Sequence, residues 1–206
     1  FMNYAAIDPG LTNEDCSFWH FGLDANVMMK MEALTSYIKD QPQVKKFYLL
    51  DQDYSYGHDM SKYFQKYMKE KRPDVQIVGD VFVPIGQVKD FAPYVAKIKE
   101  SGADAIMSGN WGTDLTLFVK ALAQAGLNLP IYTNYAVVSG TPTALAALGD
   151  KANVYMVAYG YSQTTGELGK ISAGFQQKYN DDFYTASILN GLNLLSTAMA
   201  KTHSID

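Results

Sequence analysis

The sequence is short of cysteine, charge and basic clusters, and each shortage excludes a class of protein. It has one cysteine among 206 residues, Cys16, which cannot form an internal disulfide or a thiolate metal cage and leaves the redox compartment open. Charged residues make up 18%, below the roughly 25% typical of soluble domains. With a formal net charge of −4 and no run of basic residues, the chain offers no electrostatic surface for nucleic acid. We therefore expect no nucleic-acid partner.

Long apolar segments are missing too. Even the stretch 184–200 is interrupted by Asn190 and Asn193, so no run reaches the roughly 18 apolar residues of a membrane span. The first ten residues lack the charged and apolar regions of a signal peptide. We expect no direct membrane insertion of this segment, and we expect any export signal to have been removed or to lie outside the sequence.

Motifs for common enzyme chemistries are absent or incomplete. No phosphate-binding loop, dinucleotide fingerprint or G-x-S-x-G elbow occurs, and three scattered histidines form no metal cluster. Residues 51–55 resemble the start of a calcium loop, but Gly57 comes one position late and Lys62 replaces the closing glutamate. Cys16 and His20 could act as a nucleophile and its base, which keeps an enzyme as one hypothesis. We favour a protein that is not an enzyme and that uses no cofactor and no metal.

From Val44 onward, strand-like and helical patterns alternate. Runs of β-branched and aromatic residues begin at about residues 44, 75, 104, 130 and 154, roughly the spacing of one strand, one helix and their turns. Between them, apolar residues recur at helical intervals. The pattern predicts an α/β fold with an open, doubly wound (Rossmann-like) parallel sheet, since the units are too few for a closed barrel. The predicted strands are 44–50, 75–83, 104–108, 130–133 and 154–159; the helical faces are 27–38, 60–68, 91–98 and 115–125, and two further helices are 167–179 and 183–201.

The loops after the predicted strands are rich in aromatic rings, hydroxyls and amides. In open α/β sheets, ligands bind beyond the carboxyl ends of the strands, and this loop content suits an organic ligand of modest polarity. Trp111 stands between Gly109 and Gly112, which favours a ligand wall over core packing. Tyr54 and Tyr56 fit either a ligand wall or a cap on the sheet edge.

Several segments taken in order resemble a known family. They are Tyr48–Gly57 with its D-x-x-Y-G turn, 84–91, the G-A-D-A-I run at 102–106, and Gly126-Leu127 before Pro130. Together they resemble type I periplasmic binding proteins, and more narrowly the substrate-binding component of branched-chain amino-acid ABC transporters. The resemblance implies a periplasmic binding protein-like fold in which two lobes close on a small-molecule ligand about a hinge. It also implies delivery to the membrane permease subunits, and a location in the periplasm or tethered outside the cell.

The resemblance also assigns roles to particular residues. Tyr56 falls at the cleft tyrosine of the family with Ser55 beside it, and Asn110 and Trp111 fall on a cleft loop. The family glutamate that pairs with an amino-acid ammonium falls at about Tyr135, after Asn134, so this sequence lacks that carboxylate. An aromatic or apolar carboxylate is therefore favoured over an amino acid. The predicted ligand-binding residues are Ser55, Tyr56, Asn110, Trp111, Asn134 and Tyr135, and the predicted hinge residues are Trp19, Phe21 and Tyr159.

The resemblance divides the chain unequally. It implies that residues 22–158 form one complete lobe, the second ligand-binding lobe, and that 1–21 and 159–206 are remnants of the first lobe with hinge crossings. On this interpretation the sequence is a fragment, and we expect tight ligand binding by this chain alone to fail. An alternative function is a ligand-sensing domain of a receptor or transcriptional regulator with the same fold.

Overall fold

The computed structural model describes residues 1–137, 140–149, 152–158, 164–180 and 186–205. The chain forms two compact units, one of Val27–Val157 and one of Phe1–Asn26 with Ala158–Asp206. That these units are lobes of a clamp, with one lobe at 22–158, stays a prediction. The predicted hinge residue Tyr159 lies outside the described residues.

The secondary structure alternates strands and helices over most of the chain. The strands are β1 (Met2–Asn3), β2 (Phe21–Gly22), β3 (Lys46–Gln52), β4 (Gln76–Val83), β5 (Ala105–Met107), β6 (Ile131–Thr133) and β7 (Val154–Met156). The helices are α1 (Val27–Lys39), α2 (Ser55–Lys71), α3 (Ala92–Ser101), α4 (Gly112–Gln124), α5 (Thr141–Leu148), α6 (Gly166–Tyr179) and α7 (Ala186–Thr202). Among the described residues, no helix is long and apolar enough to cross a membrane.

The unit Val27–Val157 is organised around a parallel sheet. Within the described residues this sheet has five strands in the order β4-β3-β5-β6-β7, every neighbouring pair parallel. The order reverses beside β3, as it does in doubly wound sheets, because successive crossovers from this point run in opposite directions. The predicted α/β fold with an open parallel sheet is confirmed.

Each predicted strand of this sheet overlaps an observed one, whereas α5 was not predicted. The segment Thr141–Leu148 is mostly alanine, threonine and leucine, and its apolar residues do not form a clear helical stripe. Its start carries a signal that could have identified it, because Pro142 stands in the first turn, where a missing N–H is tolerated.

Apolar side chains fill both faces of this sheet. On one face Leu50 of β3, Ile106 of β5 and Phe118 of α4 belong to one buried cluster, to which α3 also contributes side chains. Each of these three residues is 0% exposed. On the other face the Phe47 ring lies 5.0 Å from the Phe64 ring of α2. Burying a side chain of this size stabilises a fold by about 1.5–3 kcal/mol. The strands are therefore held firmly from both sides, which fixes the position of their carboxyl ends.

The second unit contains a short parallel pair and two helices. Met2 pairs with Phe21, and Asn3 pairs with Gly22. The strand β1 is only two residues long. It ends because the Asn3 side chain accepts hydrogen bonds from the main-chain nitrogens of Ala5 and Ala6, which turns the chain.

Candidate ligand site

The residues predicted to bind ligand stand after three neighbouring strands of the five-stranded sheet. β3 ends at Gln52, β5 at Met107 and β6 at Thr133. Because the strands are parallel, the loops that follow them meet at one edge of the sheet. All six predicted ligand-binding residues lie in or directly after these loops, within one compact unit.

Four aromatic side chains form a continuous row at this edge, and we call Trp111, Tyr54, Tyr56 and Tyr135 the aromatic wall. The indole Nε1 of Trp111 donates a hydrogen bond to the Tyr54 hydroxyl at 2.9 Å. The rings of Tyr54 and Tyr56 lie 5.6 Å apart, and those of Tyr56 and Tyr135 lie 5.7 Å apart. These separations fall in the range that aromatic pairs favour. Tyr54, which the resemblance left unassigned, joins the tryptophan to the other two tyrosines.

Tyr56 is the most buried member of the wall and is fixed by a hydrogen bond. Its hydroxyl donates to Oδ1 of Asn134 at 2.5 Å, and the residue is 6% exposed. Burial raises the pKa of the Tyr56 phenol well above its ordinary value, and the neighbouring Tyr135, Tyr54 and Asp51 add to the shift. The hydroxyl is therefore neutral and available as a donor across the physiological pH range.

Gly57 determines how closely helix α2 approaches the end of β3. A Cβ atom at this position would collide with the main-chain carbonyl oxygen of Gln52. Since a carbonyl within a strand cannot move aside as a flexible side chain can, only glycine allows α2 to begin here. The last residue of the D-x-x-Y-G turn is thus a packing requirement that positions Tyr56.

Beneath the wall, Asp51 and Asn110 are completely buried. Oδ1 of Asp51 accepts a hydrogen bond from the Gly109 main-chain nitrogen at 2.5 Å. Burial raises the pKa of Asp51 well above its ordinary value, although the Gly109 hydrogen bond opposes the shift. The Asn110 side-chain nitrogen donates to the Leu50 carbonyl at 3.3 Å. Asn110 thus ties the loop after β5 to β3. Its assignment as a ligand contact stays a prediction, as does that of the exposed Ser55.

Six buried polar atoms at this end of the sheet have no hydrogen-bond partner among the described residues. A buried polar atom left unpaired costs about 1–3 kcal/mol, so this layer gains most from additional hydrogen-bonding groups. The six atoms are Oδ2 of Asp51, Oε1 of Gln52, Oδ1 of Asn110, Oδ1 of Asp114, Oγ1 of Thr133 and Nδ2 of Asn134.

Lys30 is a site residue that the sequence interpretation missed. It lies on α1, is 3% exposed, and its Nζ stands 4.8 Å from the centroid of the Tyr135 ring. A signal existed in the sequence, because Lys30 is three residues after Val27 and four before Leu34, on the apolar face of the predicted helix. A charged residue on such a face is unusual, since burying an ammonium is costly unless partners compensate.

The two acids of the loop after β3 stand in different environments. Asp51 is buried and its raised pKa favours the neutral form. Asp53 is exposed, and its Oδ1 lies 2.9 Å from Nε2 of His58. Burial of Asp51 works against its ionised form and Asp53 is exposed, so neither is suited to hold a buried ligand ammonium.

The Cys16 and His20 pair lies in the other unit. Cys16 is exposed. Nε2 of His20 lies 3.0 Å from Nδ2 of Asn3, and Nδ1 lies 3.1 Å from the Leu11 carbonyl oxygen. Both ring nitrogens thus have neighbours other than the thiol, and nothing in this arrangement orients His20 as a base toward Cys16. The described residues also contain no group of three or more histidine, cysteine, aspartate or glutamate side chains placed to hold a metal ion.

Comparisons with known proteins identify relatives of the whole chain. The sequence profile of a family described as periplasmic binding protein matches residues 1–206. The Leu/Ile/Val-binding protein homolog 4 of Brucella abortus is 30% identical over 136 residues, which are 66% of this chain and 32% of that protein.

Solved structures share the fold. The leucine-, isoleucine-, valine-, threonine-, and alanine-binding protein from Brucella ovis, in a closed conformation, superposes with a TM-score of 0.77 at 24% identity, over 94% of this chain and 50% of that one. An ABC transporter solute binding protein from Rhodopseudomonas palustris HaA2, in complex with p-hydroxybenzoic acid, superposes with a TM-score of 0.80 at 19% identity. The match covers 98% of this chain and 56% of that one. The chain thus spans about a third of the curated relative and about half of each solved structure.

Proposed function

The chain belongs to the periplasmic binding protein family, and we propose that it serves an ABC transporter as part of the extracytoplasmic component that captures an aromatic or apolar carboxylate. The observation that carries this proposal is the aromatic wall at the carboxyl edge of the sheet. Three of its four rings, those of Tyr54, Trp111 and Tyr135, are partly exposed and give a ligand an apolar surface. Each ring stacked on it contributes roughly 0.5–1.5 kcal/mol beyond the area buried.

The charges around the wall favour an acid over an amino acid. The position that the family resemblance gives to an ammonium-binding glutamate is occupied by Tyr135, and neither acid of the loop after β3 replaces it. The nearest charged group to Tyr135 on α1 is instead the ammonium of Lys30. Neither Asp51 nor Asp53 is suited to supply a buried ligand ammonium with a counter-charge that offsets its lost hydration.

The wider role follows from family membership. The captured ligand passes to the permease subunits of the transporter, in the periplasm or on the outer side of the cell membrane. In this scheme the unit Val27–Val157 is the second lobe, the flanking segments belong to the first, and Trp19 and Phe21 stand at the hinge crossing. The relative from Rhodopseudomonas palustris with bound p-hydroxybenzoic acid supplies a suitable probe.

The two tryptophans of the chain allow a direct test of this proposal. A ¹H–¹⁵N NMR spectrum of the 206-residue chain has two indole signals, and the Trp19→Phe variant identifies that of Trp111. The Trp111 indole N–H reports on the wall because it donates to the Tyr54 hydroxyl, whereas Trp19 is 72% exposed and stands at the proposed hinge crossing, so its signal is followed separately. Titration into the millimolar range detects weak binding, so the test does not depend on tight affinity.

We expect 4-hydroxybenzoate to shift the Trp111 signal in a saturable way. Leucine at the same concentrations should produce a much smaller shift. A saturable shift with leucine and none with the aromatic acid would reverse the proposed ligand class. A Trp111 shift that rises linearly with 4-hydroxybenzoate and does not saturate would indicate a nonspecific effect and would count against the wall as the binding surface.

A further inference from the structure

A buried lysine stands beside the aromatic wall, although no motif assigns it a role. Lys30 is 3% exposed, and its ammonium lies 4.8 Å from the centroid of the Tyr135 ring. Lysine side chains usually extend to keep this group in water, so a buried ammonium depends on polar and aromatic neighbours in place of hydration. An ammonium has three N–H donors, so it can bind a ligand oxygen in addition to its protein neighbours.

A second donor belongs to Asn134, the residue that precedes Tyr135. The side-chain oxygen of Asn134 accepts the Tyr56 hydroxyl, and its Nδ2 has no hydrogen-bond partner within the described part of the chain although the residue is 1% exposed. Because Tyr56 also contacts the Tyr135 ring, at 5.7 Å, the amide and the ammonium are both placed around one tyrosine.

The chemistry of these two groups selects the charge of the ligand. The ammonium of Lys30 and the N–H₂ of Asn134 both donate hydrogen bonds, and a carboxylate accepts two or more. A ligand ammonium at this position would meet a like charge. We infer that Lys30 and Asn134 bind the carboxylate of the ligand, which orients its apolar part along the remainder of the aromatic wall. The inference rests on the proposed function and adds to it the residues that recognise the acid group.

Two probes of the same shape separate charge recognition from general binding. 4-Hydroxybenzoate and 4-hydroxybenzamide differ in the charge of one group, and both are titrated into the chain with the Trp111 indole signal as readout. The variants are Lys30→Met, which keeps the length of the side chain without its charge, and Lys30→Arg, which keeps the charge. Lys62→Met is the matched control, because its ammonium also lies over a tyrosine, 5.0 Å from the Tyr63 centroid, but on an exposed helix surface.

We expect the wild-type chain to bind the carboxylate at least about tenfold more tightly than the amide, the ratio that one hydrogen bond to a charged group supplies. Lys30→Met should reduce this ratio to about one, chiefly by weakening the binding of 4-hydroxybenzoate. Lys30→Arg and Lys62→Met should retain the preference. The ratio is measured within each variant, so a general loss of folding lowers both affinities and does not imitate the effect.

Two results would overturn the inference, and they differ in what else they affect. If Lys30→Met weakens the binding of both probes by the same factor, or changes the binding of neither, Lys30 does not recognise the acid group. The proposed function then stands. If the wild-type chain binds neither probe, the proposed ligand class fails and the role of Lys30 fails with it.

Discussion

The Tyr56 hydroxyl donates to the side-chain oxygen of Asn134 at 2.5 Å, although the two residues are separated by 78 positions in the sequence. Tyr56 lies in the first turn of α2, and Asn134 follows the last residue of β6. The hydrogen bond therefore connects the beginning of a helix with a strand that does not neighbour β3 in the sheet. It also fixes the orientation of the Asn134 amide, whose Oδ1 faces the Tyr56 hydroxyl.

Removing this hydroxyl should destabilise the protein. Tyr56→Phe leaves the Asn134 oxygen buried without its donor, and we expect the free energy of unfolding to fall by about 1–2 kcal/mol. Urea unfolding followed by circular dichroism measures the change. Tyr63→Phe, on the same helix but partly exposed, is the matched control and should change stability by less than about 0.5 kcal/mol. Equal effects of the two variants would show that the Tyr56 hydrogen bond adds no stability.

The buried carboxyl of Asp51 should make stability depend on pH. Its pKa in the folded state is raised above the ordinary 3.8. Its contribution is therefore most favourable below pH 4 and is lost as the pH rises toward the folded-state pKa. Asp51→Asn keeps an oxygen for the Gly109 N–H but does not titrate. Relative to wild type, the variant should gain up to about 1.4 kcal/mol per pH unit above pH 4 until the folded-state pKa is reached.

Unfolding at pH 4.5, 6.0 and 7.5 tests the prediction for Asp51. A stability difference between Asp51→Asn and wild type that stays constant over this range would mean that Asp51 is ionised in the folded protein.

Gly57 should tolerate no side chain. Gly57→Ala places a methyl group against the Gln52 carbonyl oxygen, and we expect a loss of about 3 kcal/mol together with a loss of ligand-induced shifts at Trp111. Gly174→Ala is the control, because a Cβ there meets nothing within 4 Å in the middle of α6. That variant should gain about 0.5–1 kcal/mol from helix propensity. Wild-type stability in Gly57→Ala would contradict the required close approach.

Arg72 should contribute more than an ordinary surface charge. Its guanidinium binds both oxygens of Asp74, at 2.7 and 2.8 Å, and donates to the Gln41 and Val44 carbonyls. We expect Arg72→Met to lower the free energy of unfolding by about 2 kcal/mol or more, because those carbonyls lose a charged donor. Lys45→Met removes the other, half-exposed partner of Asp74 and should cost less than about 1 kcal/mol. Similar losses for the two variants would exclude a special role for Arg72.

The sequence predicted the sheet because its strands are local features. Each strand of the large sheet is a short run of apolar residues, and the helices between strands repeat apolar residues every three or four positions. The prediction failed where the sequence pattern was weak. α5 is built from small residues with little contrast between its faces, and the strand at Met2–Asn3 ends early because of side-chain hydrogen bonds that no periodicity reveals.

The candidate site likewise combines features that the sequence predicts with features that only the fold creates. The sequence by itself determined which loops follow the strands, that they carry Tyr56, Trp111 and Tyr135, and that no glutamate stands at residue 135. Only the tertiary structure decided that Tyr54 completes the row of rings, that Asn110 binds the neighbouring strand, and that Lys30 lies over Tyr135. The physical reason is distance along the chain: composition and local spacing dictate strands and helices, whereas a contact between residues 30 and 135 exists only after the sheet brings both to one edge.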